Sequence, residues 1–213
     1  MKCDKHVMLL YAVTDRAWIG KQTLYEQVES ALKGGVTCVQ LREKELSKAE
    51  FLSEAMQICK LCRAYQVPLI INDNVEIALQ CGADGIHVGQ EDMKALDVRR
   101  LVGENMIVGV SVHTVGEAVE AVKNGADYLG VGAVFSTSTK IDVSVLSHEI
   151  LRNICDAVPV PVVAIGGIHK KNIERLSGSG VDGVALVSAI FSAEDIEVEC
   201  KKLHELSERV ISE

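Results

Sequence analysis

The sequence predicts an α/β fold, a single (β/α)8 TIM barrel over residues 1–213. Three observations predict it. Short, almost continuously apolar runs alternate with longer helix-patterned segments, as expected for parallel strands covered on both faces. A glycine-centred motif recurs at every second strand. The chain of 213 residues also lacks any linker rich in Pro, Gly or Ser that would divide it. The rival, an open doubly wound sheet with a nucleotide loop, wants G-x-G-x-x-G after the first strand. The sequence there reads Tyr11-Ala-Val-Thr-Asp15.

The elements follow in order. The first strand, Met8–Val13, lies in an apolar run far shorter than the ~20 residues that cross a bilayer. It has no small-residue cleavage site and runs into Thr14-Asp15-Arg16, so it reads as a buried strand and not as a signal peptide. A helix over 21–33 precedes Gly34-Gly35-Val36-Thr37 and the strand Cys38–Leu41. The next helix, 47–65, carries Cys59-x-x-Cys62. No second CxxC or paired histidine completes a zinc site, so these thiols read as helix-face packing. Strand Leu69–Ile71 and helix 74–81 lead through Gly82-Ala83-Asp84 into Gly85–Val88. Helix 92–101, strand Ile107–Val110 and helix 115–124 lead through Gly125-Ala126-Asp127 into Tyr128–Val131. Helix 144–156, strand Val162–Ile165 and helix 170–177 lead through Gly180-Val181-Asp182 into Gly183–Val187, and helix 193–211 ends the chain. The repeated glycine suits a left-handed helix C-cap, which costs a residue without Cβ nothing.

Composition excludes several functions. With 22 Lys+Arg against 30 Asp+Glu, the net charge of -8 argues against sequence-independent nucleic-acid binding, which needs a broad basic surface. No basic run is longer than a pair, so no membrane patch is expected either. A 48% hydrophobic and 24% charged composition fits a folded chain with a sizeable core. The 7 cysteines are odd in number and scattered, which favours reduced thiols and a cytoplasmic location. Nothing marks one helix face for self-association, and a homo-oligomer stays open.

Barrels carry their chemistry at the C-terminal ends of the strands. Polar residues collect at those ends here: Gln40-Leu41-Arg42-Glu43-Lys44, Asn72-Asp73, His87 with Gln90 and Asp92, Ser111 with His113, Ser136-Thr137-Ser138-Thr139-Lys140, Gly166-Gly167 and Val187-Ser188. If the backbone stays extended, Gln40, Arg42 and Lys44 share one face. Arg42, Lys44 and Lys140 are cations in an acidic protein and point to a localised anionic ligand. Asp73 and Asp92 offer hard oxygens for Mg2+, which takes one or two carboxylates plus substrate phosphate oxygens and water. Each could equally cap the helix that follows it. The glycines and the Val187-Ser188 turn match the place after strands seven and eight where barrels hold phosphate. The rim is thus equipped for two anionic groups, one with a metal. No Ser-His-Asp or Cys-His nucleophile stands out.

At these residues the chain resembles the thiamine-phosphate synthase (thiamine-phosphate pyrophosphorylase) family. The segments that carry the resemblance are Gln40–Lys44, Ile71–Asp73, Gly85–Asp92, Gly109–Ser111, Asp127–Gly132, Thr137–Lys140 and Ala164–Ile168. The resemblance implies an enzyme that couples an aminopyrimidine methyl diphosphate to a thiazole ethyl phosphate and releases pyrophosphate. It implies that Gln40, Leu41, Arg42, Glu43, Lys44 and Asn72 bind the pyrimidine diphosphate, with Ser111 beside the pyrimidine and Lys140 on the diphosphate. It further implies Mg2+ on Asp73 and Asp92, and the thiazole phosphate on Thr137, Ser138, Thr139, Gly167, Val187 and Ser188. Ala133 stands where the family pattern has proline, and Ile141-Asp-Val-Ser144 replaces a Pro-richer segment. Two rivals are a thiazole tautomerase on the same barrel, using His87 or His113 for proton transfer, and a silent barrel that senses a phosphorylated metabolite. The combination of Arg42, Lys44, Asp73, Asp92 and Lys140 speaks against both.

Overall fold

The computed structural model describes residues 3–20, 22–136 and 145–212. Eight parallel strands close into a barrel in sequence order. They are β1 Leu10–Val13, β2 Cys38–Leu41, β3 Leu69–Asn72, β4 Gly85–Val88, β5 Ile107–Val112, β6 Tyr128–Val131, β7 Val162–Ile165 and β8 Gly183–Leu186. Closure, with β1 pairing to both β2 and β8, removes the open-sheet rival. Around the barrel lie α1 Leu24–Lys33, α2 Lys48–Ala64, α3 Val75–Cys81, α4 Ala95–Val102, α5 Val115–Lys123, α6 His148–Ala157, α7 Ser188–Phe191 and α8 Ile196–Ser212. Capping boxes start α1 (Thr23 with Glu26) and α2 (Ser47 with Glu50).

The apolar residues separate into two cores. The larger lies between strands and helices and holds Leu10, Ala12, Val39, Leu41, Ile71, Ile86, Val108 and Leu129. The smaller fills the barrel with Tyr11, Cys38, Ile70, Ile107, Tyr128, Val163 and Ala185. Successive residues of each strand alternate between the two, the period-two consequence of a pleated strand. Cys59 and Cys62 of α2 belong to the outer core, in keeping with a packing role.

The repeat before the even strands has a physical purpose. Its glycines, Gly35, Gly82, Gly125 and Gly180, all have positive φ, between 67° and 92°. Two residues later stands Thr37, Asp84, Asp127 or Asp182. Their side-chain oxygens accept the N–H groups of Leu10, Leu69, Val108 and Val162 at 2.8–2.9 Å. The same four residues donate their own N–H groups to the carbonyls of those same partners at 2.7–2.9 Å. Each even strand is thereby clamped to the odd strand before it, and the register between them is fixed.

Three features differ from expectation. The helix expected over 170–177 is a single 3-10 turn, Ile173–Leu176. The Asn172 side chain bonds the Gly167 carbonyl at 2.9 Å and the His169 N–H at 2.8 Å, holding a loop where a helix would begin. Gly178, at φ 72°, ends the segment soon after. The short helix α7, directly after β8, was not expected. The strand before Ser111 also runs on to Val112, so Ser111 lies within β5 and not beyond it.

Replacing Asp84 by Ala removes the acceptor for the Leu69 N–H. It should lower stability by about 1–2 kcal/mol, the worth of a partly exposed charge-assisted bond. The check is the urea midpoint, with the slope unchanged.

Candidate active site

The strand register decides which polar groups enter the barrel. Gln40 pairs with Ile70, Asn72 with His87, His87 with Gly109, and Ser111 with Gly130. These positions share the inward phase with the inner core. Four of the inward side chains and Tyr11 form one chain of hydrogen bonds. Gln40 Nε2 donates to Tyr11 Oη at 2.8 Å, and Tyr11 Oη meets Tyr128 Oη at 2.8 Å. Tyr128 Oη meets His87 Nδ1, and His87 Nε2 meets Ser111 Oγ, again at 2.8 Å each. Tyr11, Gln40, His87 and Tyr128 are buried. Burial, the largest cause, pushes both phenols well above their ordinary pKa.

Glycines make room for this chain. A Cβ on Gly109 would lie 2.1 Å from Cζ of Tyr128, and one on Gly130 would lie 3.1 Å from Cε1 of His87. Tyr11 and Tyr128 meet edge to face with centroids 5.9 Å apart, and the His87 ring lies 5.5 Å from that of Tyr128.

At the rim above β2 the expected shared face breaks up, because the strand ends at Leu41. Gln40 turns inward, as described. Leu41 is fully buried in the outer core, so its side chain faces the helices and not the barrel interior. Arg42 lies 3.4 Å from Asp15, and its N–H donates to Thr14 Oγ1 at 3.0 Å. Glu43 is held by Arg16 at 2.8 Å, and Arg16 also binds Glu54 at 2.8 Å. Glu43 therefore ties the β1 loop to the β2 loop. Lys44 reaches across to Asp73, with Nζ and Oδ2 2.5 Å apart.

Asp73 and Asp92 are not helix caps. Asn74 caps α3 through a 3.0 Å bond to the Ile77 N–H, and α4 starts only after Lys94, with no side-chain cap. Asp73 sits at φ 61°, a left-handed conformation that Asp tolerates better than most residues. Its N–H donates to the His87 carbonyl at 2.8 Å, stitching the β3 loop to β4. Asp92 is exposed and accepts the Gly89 N–H at 2.8 Å. Among the described residues no three His, Cys, Asp or Glu gather as a preformed metal cage. Two carboxylates on neighbouring loops fit Mg2+ nonetheless, because that ion fills its remaining positions with water and substrate phosphate.

On the far side of the rim, Gly166 and Gly167 have φ values of 100° and 66°. A Cβ on Gly167 would lie 2.3 Å from the Ser136 carbonyl oxygen, so the β6 loop packs directly on this glycine. Val134 and Phe135 extend that contact through N–H bonds of 3.0 Å to Ile165 and Gly166. Val187 immediately precedes α7, and Ser188 is its first residue. A helix start leaves its first N–H groups without intrahelical acceptors, a local arrangement that suits an anion. Thr137, Ser138, Thr139 and Lys140 lie outside the described residues. His113 is exposed beyond β5, with Nδ1 3.4 Å from Glu117, and takes no part in the interior chain.

Sequence reasoning gave no role to Tyr11, Tyr128 or the loop-tying Arg16. The available signal was a polar atom at the inward phase of an otherwise apolar strand, with glycines at the same phase of neighbouring strands. In continuous apolar runs that phase cannot be read without the register.

The sequence matches the thiamine monophosphate synthase family over residues 10–190. The thiamine-phosphate synthase of Clostridium acetobutylicum is 47% identical over 92% of this chain and 93% of its own length. That of Ruminiclostridium cellulolyticum is 50% identical over 92% and 94%. The structure of the thiamine phosphate pyrophosphorylase from Pyrococcus furiosus superposes with a TM-score of 0.90 at 39% identity, covering 97% of this chain and 98% of that one.

The raised phenols have an optical consequence. Near pH 10, the ordinary phenol midpoint, Tyr128→Phe should leave the tyrosinate absorbance of the folded protein unchanged. In urea at the same pH, where an exposed phenol is half ionised, it should lower that absorbance by about half of one tyrosinate. A loss of the same size in the folded protein would show that Tyr128 ionises normally.

Proposed function

The chain belongs to the thiamine monophosphate synthase family, and we propose that it joins an aminopyrimidine methyl diphosphate to a thiazole ethyl phosphate, or its carboxylated form. The products are thiamine phosphate and pyrophosphate, with carbon dioxide as a third product where the thiazole is carboxylated. The observation that carries this reading is the meeting of Lys44 and Asp73 at the mouth of a barrel lined by Gln40, His87 and Ser111. A cation paired with a carboxylate, with Arg42 on the same loop and a second carboxylate on the loop after β4, is the composition that a metal-bound diphosphate requires.

The reaction needs no protein nucleophile. The bond between the pyrimidine methylene and the diphosphate oxygen breaks, and its electron pair leaves with pyrophosphate. The ring amino group donates into the methylene cation that remains. The thiazole nitrogen then supplies the lone pair for the new C–N bond. Arg42, Lys44 and Lys140 stabilise the departing charge by preorganised electrostatics, commonly the largest single contribution to catalysis. Asp73 and Asp92 would hold Mg2+, which when bound neutralises charge on the diphosphate. Gln40, Asn72 and Ser111 orient the pyrimidine. Thr137, Ser138, Thr139, Gly167, Val187 and Ser188 hold the thiazole phosphate, so that the nitrogen waits beside the cation. Glu43 acts through the ion pair that anchors its loop, and Leu41 through its backbone.

The substrates are small molecules, and among the described residues no helix is long and apolar enough to cross a membrane. We place the reaction in the cytoplasm, a reading supported by 7 cysteines that all stand as free thiols.

The test combines both substrates with Mg2+ and identifies the product by mass. Thiamine phosphate that appears only with both substrates and stops with a chelator is the expected result. Binding of thiazole phosphate without any turnover would instead favour the tautomerase or the sensor. Asp92→Asn should shift the Mg2+ activation curve to about tenfold higher concentration or more, as expected for loss of an ionised metal ligand. An unchanged curve would remove Asp92 from the metal site.

A further inference from the structure

The interior hydrogen-bond chain has a direction. An amide nitrogen can only donate, so Tyr11 Oη is an acceptor in its 2.8 Å bond with Gln40 Nε2. The Tyr11 proton then points to Tyr128 Oη, the other polar atom at 2.8 Å. The Tyr128 proton in turn points to His87 Nδ1. That leaves the His87 ring protonated at Nε2, which donates to Ser111 Oγ. In the reverse sense Tyr11 would accept from both neighbours. Its own buried proton would then be left to the Cys38 thiol, a weak acceptor, in place of a phenol oxygen at 2.8 Å.

We propose that Tyr11, Tyr128 and His87 are positioning residues that fix the hydrogen-bond sense at both walls of the site. Through them, Gln40 on β2 presents its amide oxygen as an acceptor, and Ser111 on β5 presents its hydroxyl proton as a donor. A heterocycle seated between these walls is selected for an N–H donor on one side and a bare ring nitrogen or oxygen on the other. An aminopyrimidine carries both, and a ring with the amine replaced by a carbonyl reverses the first. The inference rests on the reading of this site as the pyrimidine's, and it adds the means by which the ring is recognised. The space for the chain is built in at Gly109 and Gly130, where side chains would collide with Tyr128 or crowd His87. The rings are enclosed by the inner core, so the relay is held by packing as well as by hydrogen bonds.

Two measurements test it. The first is the tautomer of His87 in the folded full-length protein by nitrogen-15 NMR, with its resonances assigned by their loss in His87→Gln. A neutral ring protonated at Nε2 is expected. Protonation at Nδ1, or at both nitrogens, overturns the relay whatever the activity. The second is Tyr128→Phe, which keeps the ring and breaks the chain. We expect kcat/KM for the pyrimidine diphosphate to fall about tenfold or more, with KM for the thiazole phosphate within about twofold of its starting value. In a Ser111→Ala background the same substitution should cost several-fold less, because the part of the relay that acts through Ser111 is already lost and only the Gln40 end remains. Equal losses in both backgrounds would overturn the proposal. A wild-type protein that forms no thiamine phosphate would overturn the functional reading instead, and the tautomer measurement would still decide the relay. If Tyr128→Phe fails to fold, that measurement, made on the unaltered chain, still gives the answer.

Discussion

One pair of hydrogen bonds, made four times, sets the geometry of this barrel. At the start of each even strand, Thr37, Asp84, Asp127 or Asp182 takes an N–H from the preceding odd strand into its side chain and returns its own N–H to the same residue. These clamps lie at the N-terminal ends of the strands, opposite the chemistry. Their effect reaches the other rim because side chains alternate along a strand. A slip of one residue would turn every inward group outward. With register fixed, Gln40, His87 and Ser111 have no alternative but the interior, and Leu41 none but the helix layer.

The two cores divide the work that follows. The outer one binds helices to strands and carries most of the buried apolar residues. The inner one is small and sets Tyr11 and Tyr128 among apolar side chains, with the His87 ring against Tyr128. Buried polar groups are stabilising only when their hydrogen bonds are complete. Here the chain runs unbroken from Gln40 to Ser111, with every link at 2.8 Å. The charged groups stay at the mouth, where Lys44, Arg42, Asp73 and Asp92 remain partly or fully exposed to solvent.

The barrel itself was legible in the sequence because parallel strands buried on both faces read as continuous apolar runs, and the repeated glycines mark the entrance to every second one. The same continuity hid the inward phase. Nothing local distinguishes Tyr11 in an apolar strand from an ordinary core tyrosine until its partner on β6 is known. The period-two argument for Gln40, Arg42 and Lys44 failed at Leu41, where the strand ends and loop ion pairs take over. The helix expected at 170–177 failed because Asn172 satisfies the loop backbone in its place. Conversely, Asp73 and Asp92 cap no helix, since Asn74 does the capping at α3 and Lys94 precedes α4.

The β2–β4 rim is the proposed seat of a metal-bound diphosphate. The most direct measurement is a calorimetric titration of pyrophosphate onto the folded protein, with and without Mg2+, for the unaltered chain and for Arg42→Ala. One pyrophosphate bound per chain only with Mg2+, and about tenfold or more weaker after loss of the guanidinium, is the predicted result. Binding of equal strength in both proteins, or binding indifferent to the metal, would contradict it.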